Sequence, residues 1–266
     1  YYIDAGDLES PTEVIEAPIE FSHAGGSQQL MGLANELLPL VSQFPSLQSR
    51  LLRVHAWVLA YYGIDYEGAR LALDQSLKLA TDLGDASLVV RALAQMSYLG
   101  LFHFRWQENL EVSLNAIELA QSLGNVGAEL QARYFATQAQ ASIGEPHQAR
   151  QHAEKLVSFA ERLNSVYVSA SSWHRLGFVH SLQGQWQQAR NAFQKGYVAD
   201  SIFRNLSSLA LVEFELGHVN EGQTILDHWM QARASYIGSA VTLTILAVPV
   251  ISRFVDLPDE IMVAAM

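Results

Sequence analysis

The sequence predicts an all-α protein built from stacked helix pairs, and three observations support this prediction. Between Trp173 and Gly196, large and small residues recur at helical spacing on both sides of a turn at Gly184, which describes two amphipathic helices folded back on each other. Residues that would each begin the second helix of a pair recur 40 positions apart, and they are Tyr66, Trp106, Pro146 and Trp186. The predicted helix ends share this spacing, at Leu83-Gly84-Asp85, Leu123-Gly124-Asn125 and Leu163-Asn164-Ser165. Gly and Asn suit a left-handed C-terminal cap, and Asp, Asn or Ser can cap the helix that follows.

The repeats divide the chain into three segments. Residues 1–45 are predicted to hold a partial N-terminal repeat and lead-in helices, one from Glu13 to Phe21 and one from Ser27 to about Val41. Residues 46–236 are predicted to form five repeats. Residues 237–266 are expected to form a partial C-terminal repeat or cap. The apolar run in this last segment, Ile237 to Ile251, is too short for a membrane-spanning helix, which needs about 20 residues.

The Trp173–Gly196 motif resembles the tetratricopeptide repeat (TPR), a helix-turn-helix unit with a W-L-G-Y…A…F signature. Its signature residues are Trp173, Leu176, Gly177, His180, Trp186, Ala189, Phe193 and Gly196, with His180 in place of the usual Tyr. The resemblance implies a right-handed α-solenoid, or superhelix, of tetratricopeptide-type helix pairs whose first helices line a concave groove. The 40-residue unit, together with the lead-in segment from Leu37 to Gly63, is also similar to the TPR sensor region of MalT-like (STAND) ATP-dependent regulators.

The composition argues against several classes of function. With 16 Lys plus Arg against 27 Asp plus Glu, the formal charge of −11 disfavours direct nucleic-acid binding, which depends on cationic neutralisation of phosphates. The absence of cysteine excludes thiolate metal sites and is compatible with the cytoplasm, where we expect the protein. Gly25-Gly26-Ser27 lacks the lysine of a P-loop, and no other catalytic or metal-ligand pattern is present. We therefore expect no enzymatic activity, no cofactor and no metal.

Candidate binding residues lie on the first helices, at positions that the packing of the repeat does not require. The resemblance assigns eight of them to the concave groove: Arg91, Tyr98, Gln131, Tyr134, Gln138, His174, Phe178 and Arg204. Aromatic faces beside polar and cationic groups suit a small organic ligand or a peptide. Alternatively, neighbouring first helices bury these side chains against each other. Burial is favoured for Tyr98 and Phe178, whereas groove exposure is favoured for Arg91, Gln138 and Arg204. The five tryptophans are interpreted as core residues.

Two functional hypotheses follow. The first is a sensor module in which a ligand or partner in the groove controls an adjoining ATPase or output domain, and the MalT-like resemblance implies transcription regulation as that output. The second is a passive interaction scaffold that binds peptide segments in the groove. A structural spacer is a weaker third alternative. Since the apolar C-terminal run would leave an uncovered end, we expect adjoining domains of a larger chain or self-association through it, and no membrane partner.

Overall fold

The computed structural model describes residues 7–20, 27–61, 65–100, 105–199 and 203–233. All regular secondary structure within these ranges is helical. The twelve helices of the described ranges are α1 (Glu9–Glu20), α2 (Ser27–Leu40), α3 (Pro45–Tyr61), α4 (Tyr66–Asp82), α5 (Ala86–Leu99), α6 (Trp106–Leu123), α7 (Val126–Ser142), α8 (Pro146–Leu163), α9 (Val166–Leu182), α10 (Trp186–Ala199), α11 (Phe203–Glu215) and α12 (Val219–Arg233). Among the residues described, no helix is both long and apolar enough to cross a bilayer.

The predicted repeat period is confirmed by the helix starts. Helices α4, α6, α8 and α10 begin at Tyr66, Trp106, Pro146 and Trp186, the four residues spaced at 40 positions. Pro146 stands in the first turn of α8, where its missing N–H has no intrahelical partner to lose. The segment boundaries at residues 45 and 236 stay a prediction, and Ile237–Ile251 lies outside the described residues.

The turns between helices have the predicted caps. Gly84, Gly124 and Asn164 adopt left-handed φ values of 66°, 64° and 49°. The side chains that follow cap the next helices: Asp85 Oδ1 accepts the N–H of Ser87 and Leu88, Asn125 Oδ1 that of Ala128, and Ser165 Oγ that of Val168. These local requirements explain why the turns recur at a fixed spacing.

One predicted boundary is wrong. Helix α1 begins at Glu9 rather than Glu13, because the Asp7 carboxylate accepts hydrogen bonds from the N–H groups of Glu9 and Ser10, each at 3.1 Å. Asp7 therefore acts as an N-terminal cap and not only as part of a turn.

The described residues fall into two compact units that divide after Ala136, and this boundary lies within α7. In the first unit, α1 and α2 pack on α3 through a cluster that includes Ile15, Leu37 and Val54. A second cluster joins α3 to α4, with Ala56 of α3 against Leu73 of α4. This unit carries α5 and the larger part of α7, the two helices on which four of the candidate residues stand.

In the second unit, one cluster joins the end of α7 to α8 and α9, and another joins α10 to α11. The small residues of the repeat signature permit close packing here. A Cβ added at Gly177 of α9 would lie 2.6 Å from Cε1 of Phe193 in α10, which is shorter than any ordinary contact. Gly177 therefore makes room for the buried Phe193 ring, as the sequence motif predicts.

The prediction that the tryptophans are core residues is confirmed for two of them. Trp57 and Trp229 are buried, whereas Trp106, Trp173 and Trp186 are half-buried. Trp173 and Trp186 nevertheless pack against core clusters of the second unit. The ammonium group of Lys195 also lies 4.3 Å from the centre of the Trp173 ring, which places a cation over that ring.

Candidate functional site

Four candidate residues come together on the first helices of the first unit: Arg91 and Tyr98 on α5, and Gln131 and Tyr134 on α7. We call these four residues the first-helix strip. Positions 91 and 98 are seven residues apart and therefore share one face of α5, while 131 and 134 share one face of α7. All four side chains are half-buried, so each keeps part of its surface in solvent.

Direct contacts link the two halves of the first-helix strip. Gln131 Nε2 donates to Oε1 of the buried Gln95 at 3.5 Å, which connects α7 to the face of α5 between Arg91 and Tyr98. The ring of Phe135 packs edge-on against both tyrosines, with centroids 5.5 Å from Tyr98 and 5.2 Å from Tyr134. These contacts fix the tyrosine rings by packing, so their exposed parts form a preformed aromatic surface beside the Gln131 amide.

Tyr98 packs against the core and also keeps part of its ring in solvent. Its ring is half-buried and packs against the core clusters of α1 to α4. The sequence favours burial of Tyr98, and the structure buries part of it. The exposed part of its ring belongs to the first-helix strip.

Arg91 lies at the end of the first-helix strip that is nearest to α1. Its side chain is 36% exposed, and its Nη1 lies 3.8 Å from Oε1 of Glu16 in α1. Arg91 is therefore partly exposed, and its place in a groove stays a prediction. It also lines a cavity of about 440 Å³, whose other lining residues are Glu13, Glu16, Ser46, Arg50, Asp85, Ser87 and Leu88.

Glu16 is the centre of a buried charge cluster. Only 4% of Glu16 is exposed, and its carboxylate accepts hydrogen bonds from Arg50 Nε at 2.8 Å and from Arg53 Nη2. We call Arg50, Arg53 and Arg91 the arginine cluster. Burial alone would raise the pKa of Glu16, but the charges of Arg53 and Arg50 outweigh burial and hold that pKa below its ordinary value. The carboxylate is consequently ionised at neutral pH.

The candidates of the second unit are placed differently. Gln138 is only 4% exposed, donates from Nε2 to Ser142 Oγ at 3.3 Å and accepts a hydrogen bond from Nη1 of the buried Arg175. The groove exposure predicted for Gln138 is wrong, because α9 supplies a buried guanidinium that takes up its carbonyl oxygen. Gln138 therefore satisfies a buried charge.

His174 is also buried, with 1% exposure, so a ligand outside the second unit does not reach it in this conformation. Its Nε2 lies 3.3 Å from Ser208 Oγ, and its ring centroid lies 5.6 Å from that of Phe193. Phe178 is half-buried and packs against the cluster that joins α8 and α9, as the favoured alternative predicts. The side chain of Arg204 lies outside the described residues.

Sequence reasoning did not find the Glu16 cluster. Arg50 and Arg53 stand on one face of α3, and Arg53 is buried, as are its sequence neighbours Leu52 and Val54. In a chain that is only 16% charged, two arginines inside an apolar helix are a signal that a buried acid must be nearby. That signal does not identify the acid, which comes from a helix outside the repeat pattern.

No potential metal site formed by three or more His, Asp or Glu side chains occurs among the residues that the structure describes. The arrangement offers hydrogen-bond donors, aromatic surface and paired charges. These groups suit binding.

The comparisons with known proteins identify the fold. No protein-family model matches the chain, and no curated protein matches it. Solved structures do match. NprR in complex with its cognate peptide NprX has a TM-score of 0.69 at 13% identity, over 93% of this chain and 73% of that chain. A Rap protein complexed with competence and sporulation factor has a TM-score of 0.67 at 11% identity, over 90% and 79% of the two chains.

A third structure carries the repeat name in its description: a putative kinesin light chain of Podospora anserina with nearly identical TPR-like repeats. It has a TM-score of 0.55 at 13% identity, over 73% of this chain and 94% of that chain. The fold is a tetratricopeptide-type α-solenoid. The predicted fold class is thereby confirmed, and the structural neighbours are TPR-like helical repeat proteins. At identities this low, the similarity describes the fold alone.

Proposed function

We propose that the protein is a peptide-binding TPR module, which recognises an extended segment of a partner protein on the first-helix strip of the first unit. The observation that carries this proposal is the strip itself: two half-exposed tyrosines held by one buried phenylalanine, with an amide and a guanidinium beside them. This is the combination of apolar surface and few polar groups that binding sites use.

Each group in the strip has a matching feature on a peptide. The Gln131 amide has both a donor and an acceptor, so it can bind a peptide group in two directions. The tyrosine rings offer flat surface to apolar side chains, and they lose little rotamer freedom because Phe135 already holds them. Arg91 adds a donor for a carbonyl or carboxylate oxygen.

The structural neighbours support the peptide as the class of ligand. NprR was solved with its cognate peptide, and Rap with competence and sporulation factor. This support concerns the fold and its use in those proteins, so the residues proposed here require their own test. We propose binding without catalysis, since the strip brings no acid, base and nucleophile into mutual reach.

The proposal is tested by selecting binders from a library of random peptides displayed on phage, using the full chain as bait. The dissociation constants of the selected synthetic peptides are then measured with wild-type protein and with Gln131→Ala. We expect the loss of one hydrogen bond to weaken binding about twofold to tenfold. The matched control is Gln107→Ala, an exposed glutamine of α6, which should leave binding unchanged. Equal effects of the two substitutions, or no selectable peptide, contradict the proposal.

The sensor role in a larger MalT-like ATPase remains a hypothesis that rests on the repeat length and the lead-in segment. It adds to peptide binding the requirement that occupancy controls a neighbouring domain. Measuring ATP hydrolysis by a longer chain that contains such a domain, with and without a selected peptide, tests that requirement. No change in hydrolysis leaves the passive scaffold as the function.

A further inference from the structure

Helix α1 contacts the first helices of its unit through two charged residues, Glu9 and Glu16, and through two buried neighbours of Glu16. Thr12 and Ile15 are buried on the same face of α1 as Glu16, and Ile15 joins the core cluster of α3. Glu16 inserts its carboxylate into the arginine cluster, which comes from α3 and α5. In this arrangement α1 occupies one end of the face that carries the first-helix strip, since Arg91 belongs both to the strip and to the cluster.

The arginine cluster is a built carboxylate-binding site. Three guanidinium groups from two helices converge on one side chain, and Arg53 is buried at its base. A second carboxylate, that of Glu9, pairs with Arg50 from the exposed side. The arginine cluster thus gathers three positive charges around one buried acid, and both carboxylates in these contacts come from α1.

We infer that α1 is an internal occupant of the arginine cluster, and that an acidic segment of the peptide partner competes with it for these arginines. The inference rests on the proposed function and specifies the chemistry of the partner. A partner glutamate or aspartate takes the position of the Glu16 carboxylate, while α1 leaves the face of α3. The first-helix strip is then extended toward α3.

The cavity beside the cluster offers a route for this exchange. The cavity of about 440 Å³ lies between α1, the start of α3 and the start of α5, and Arg50, Arg91 and Glu16 are among its lining residues. Two other acids, Glu13 and Asp85, line it. Glu13 belongs to α1 and leaves with it. Asp85 is engaged as the cap of α5, where its Oδ1 accepts from Ser87 N and Leu88 N.

Over residues 9–16, helix α1 is held by three buried side chains. Among the described side chains of α1, three are buried, namely Thr12, Ile15 and Glu16, whereas α5 buries Leu88, Val90, Ala92, Ala94, Gln95, Ser97 and Leu99. Local opening follows the elements with the fewest buried contacts. Exchange of α1 for a partner segment therefore requires these three side chains to leave their buried positions.

The test uses a labelled synthetic peptide of the α1 sequence, Glu9–Glu20, added to the full chain and followed by fluorescence anisotropy. The chain variant Glu16→Gln weakens the internal helix, so it should bind the added peptide at least about tenfold more tightly than wild type. The control variant is Glu111→Gln, an exposed glutamate of α6, which should bind the peptide as wild type does. Equal affinities of all three chains overturn the inference.

Two altered peptides test the role of the carboxylate. A peptide with Glu16→Gln should lose about tenfold or more in affinity for the Glu16→Gln chain, because a charge-assisted hydrogen bond is removed. A peptide with Glu13→Gln has the same net charge but keeps the carboxylate that pairs with the arginines, so it should bind much as the native peptide does. Equal losses from the two changes show non-specific charge attraction and overturn the inference.

Hydrogen–deuterium exchange of the wild-type chain gives a readout that does not depend on any substitution. Saturating acidic peptide should increase exchange of the α1 amides and leave α4 unchanged. Unaltered exchange in α1 overturns the inference. If library peptides still bind in a Gln131-dependent manner while α1 stays protected, the proposed function stands and only the internal occupancy fails.

Discussion

Substitution of Gly177 by alanine tests the packing between α9 and α10 most sharply. An added Cβ would lie 2.6 Å from Cε1, 2.7 Å from Cδ1 and 2.9 Å from Cζ of Phe193, a ring that is only 2% exposed. Because the ring is enclosed, it cannot swing into solvent, and its displacement costs about 1–3 kcal/mol. Alanine also gains about 1 kcal/mol in a helix interior relative to glycine. The net destabilisation expected for Gly177→Ala is therefore about 0–2 kcal/mol.

A matched control removes the uncertainty in the helix propensity. Gly32 lies inside α2, and nothing lies within 4 Å of the Cβ that a substitution would add there. Gly32→Ala should therefore stabilise the protein by about 1 kcal/mol. The difference between the two variants isolates the steric cost and should amount to about 1–3 kcal/mol.

The assay is urea denaturation followed by tryptophan fluorescence, since Trp173 and Trp186 lie on the two helices concerned. In a Phe193→Leu background, Gly177→Ala should become neutral or stabilising, because the ring atoms that clash are gone. If Gly177→Ala stabilises the wild-type chain as much as Gly32→Ala does, the close packing of Gly177 on Phe193 is refuted.

Three further predictions concern separate features. Asn164→Ala should lower stability in thermal denaturation by about 1 kcal/mol, because position 164 has the left-handed φ of 49°. Asn164→Gly should be tolerated, and equal stability of the two variants would argue against the left-handed cap. Glu213→Ala should lower the free energy of unfolding in urea by about 1.5–3 kcal/mol, since Glu213 is buried and accepts a hydrogen bond from Arg190 Nε at 2.6 Å. A loss below about 0.5 kcal/mol, the lower end for an ordinary hydrogen bond, would refute a stabilising role. Burial raises the pKa of Glu16, but Arg53 and Arg50 lower it further, so the folded value is depressed. The stabilising effect of Glu16 on α1 is then complete above about pH 4.3, the ordinary pKa of glutamate, and is lost as the pH falls through the lower pKa of the folded state. Hydrogen exchange of the α1 amides should show this loss in the wild type and not in Glu16→Gln.

The fold was predictable because its determinants are local. Left-handed caps need Gly or Asn, as at Gly84 and Asn164, and a helix start tolerates proline, as at Pro146. These requirements act within a few residues, so they appear directly in the sequence at the repeat period. The start of α1 was missed because Asp7 caps it from outside the repeat pattern.

The candidate site was predictable only in part because burial depends on distant partners. Gln138 and His174 occupy first-helix positions like those of Gln131 and Tyr134, yet Arg175 and the Phe193 ring enclose them. The arginine cluster depends on pairs separated by 34 and 37 residues, from Glu16 to Arg50 and Arg53. No repeat register relates these positions, so sequence spacing does not predict their contact.

Site-specific photo-crosslinking tests the central claim, which is that the first-helix strip binds the peptide. A photoreactive phenylalanine analogue replaces Tyr134 on α7 in one variant and Leu71 on α4 in another, and a selected peptide is added to each. Leu71 is 60% exposed and lies on a second helix of the same unit, so it reports non-specific contact. The account predicts crosslinking from position 134 and none from position 71. Crosslinking from position 71 alone, or equally from both, would contradict it.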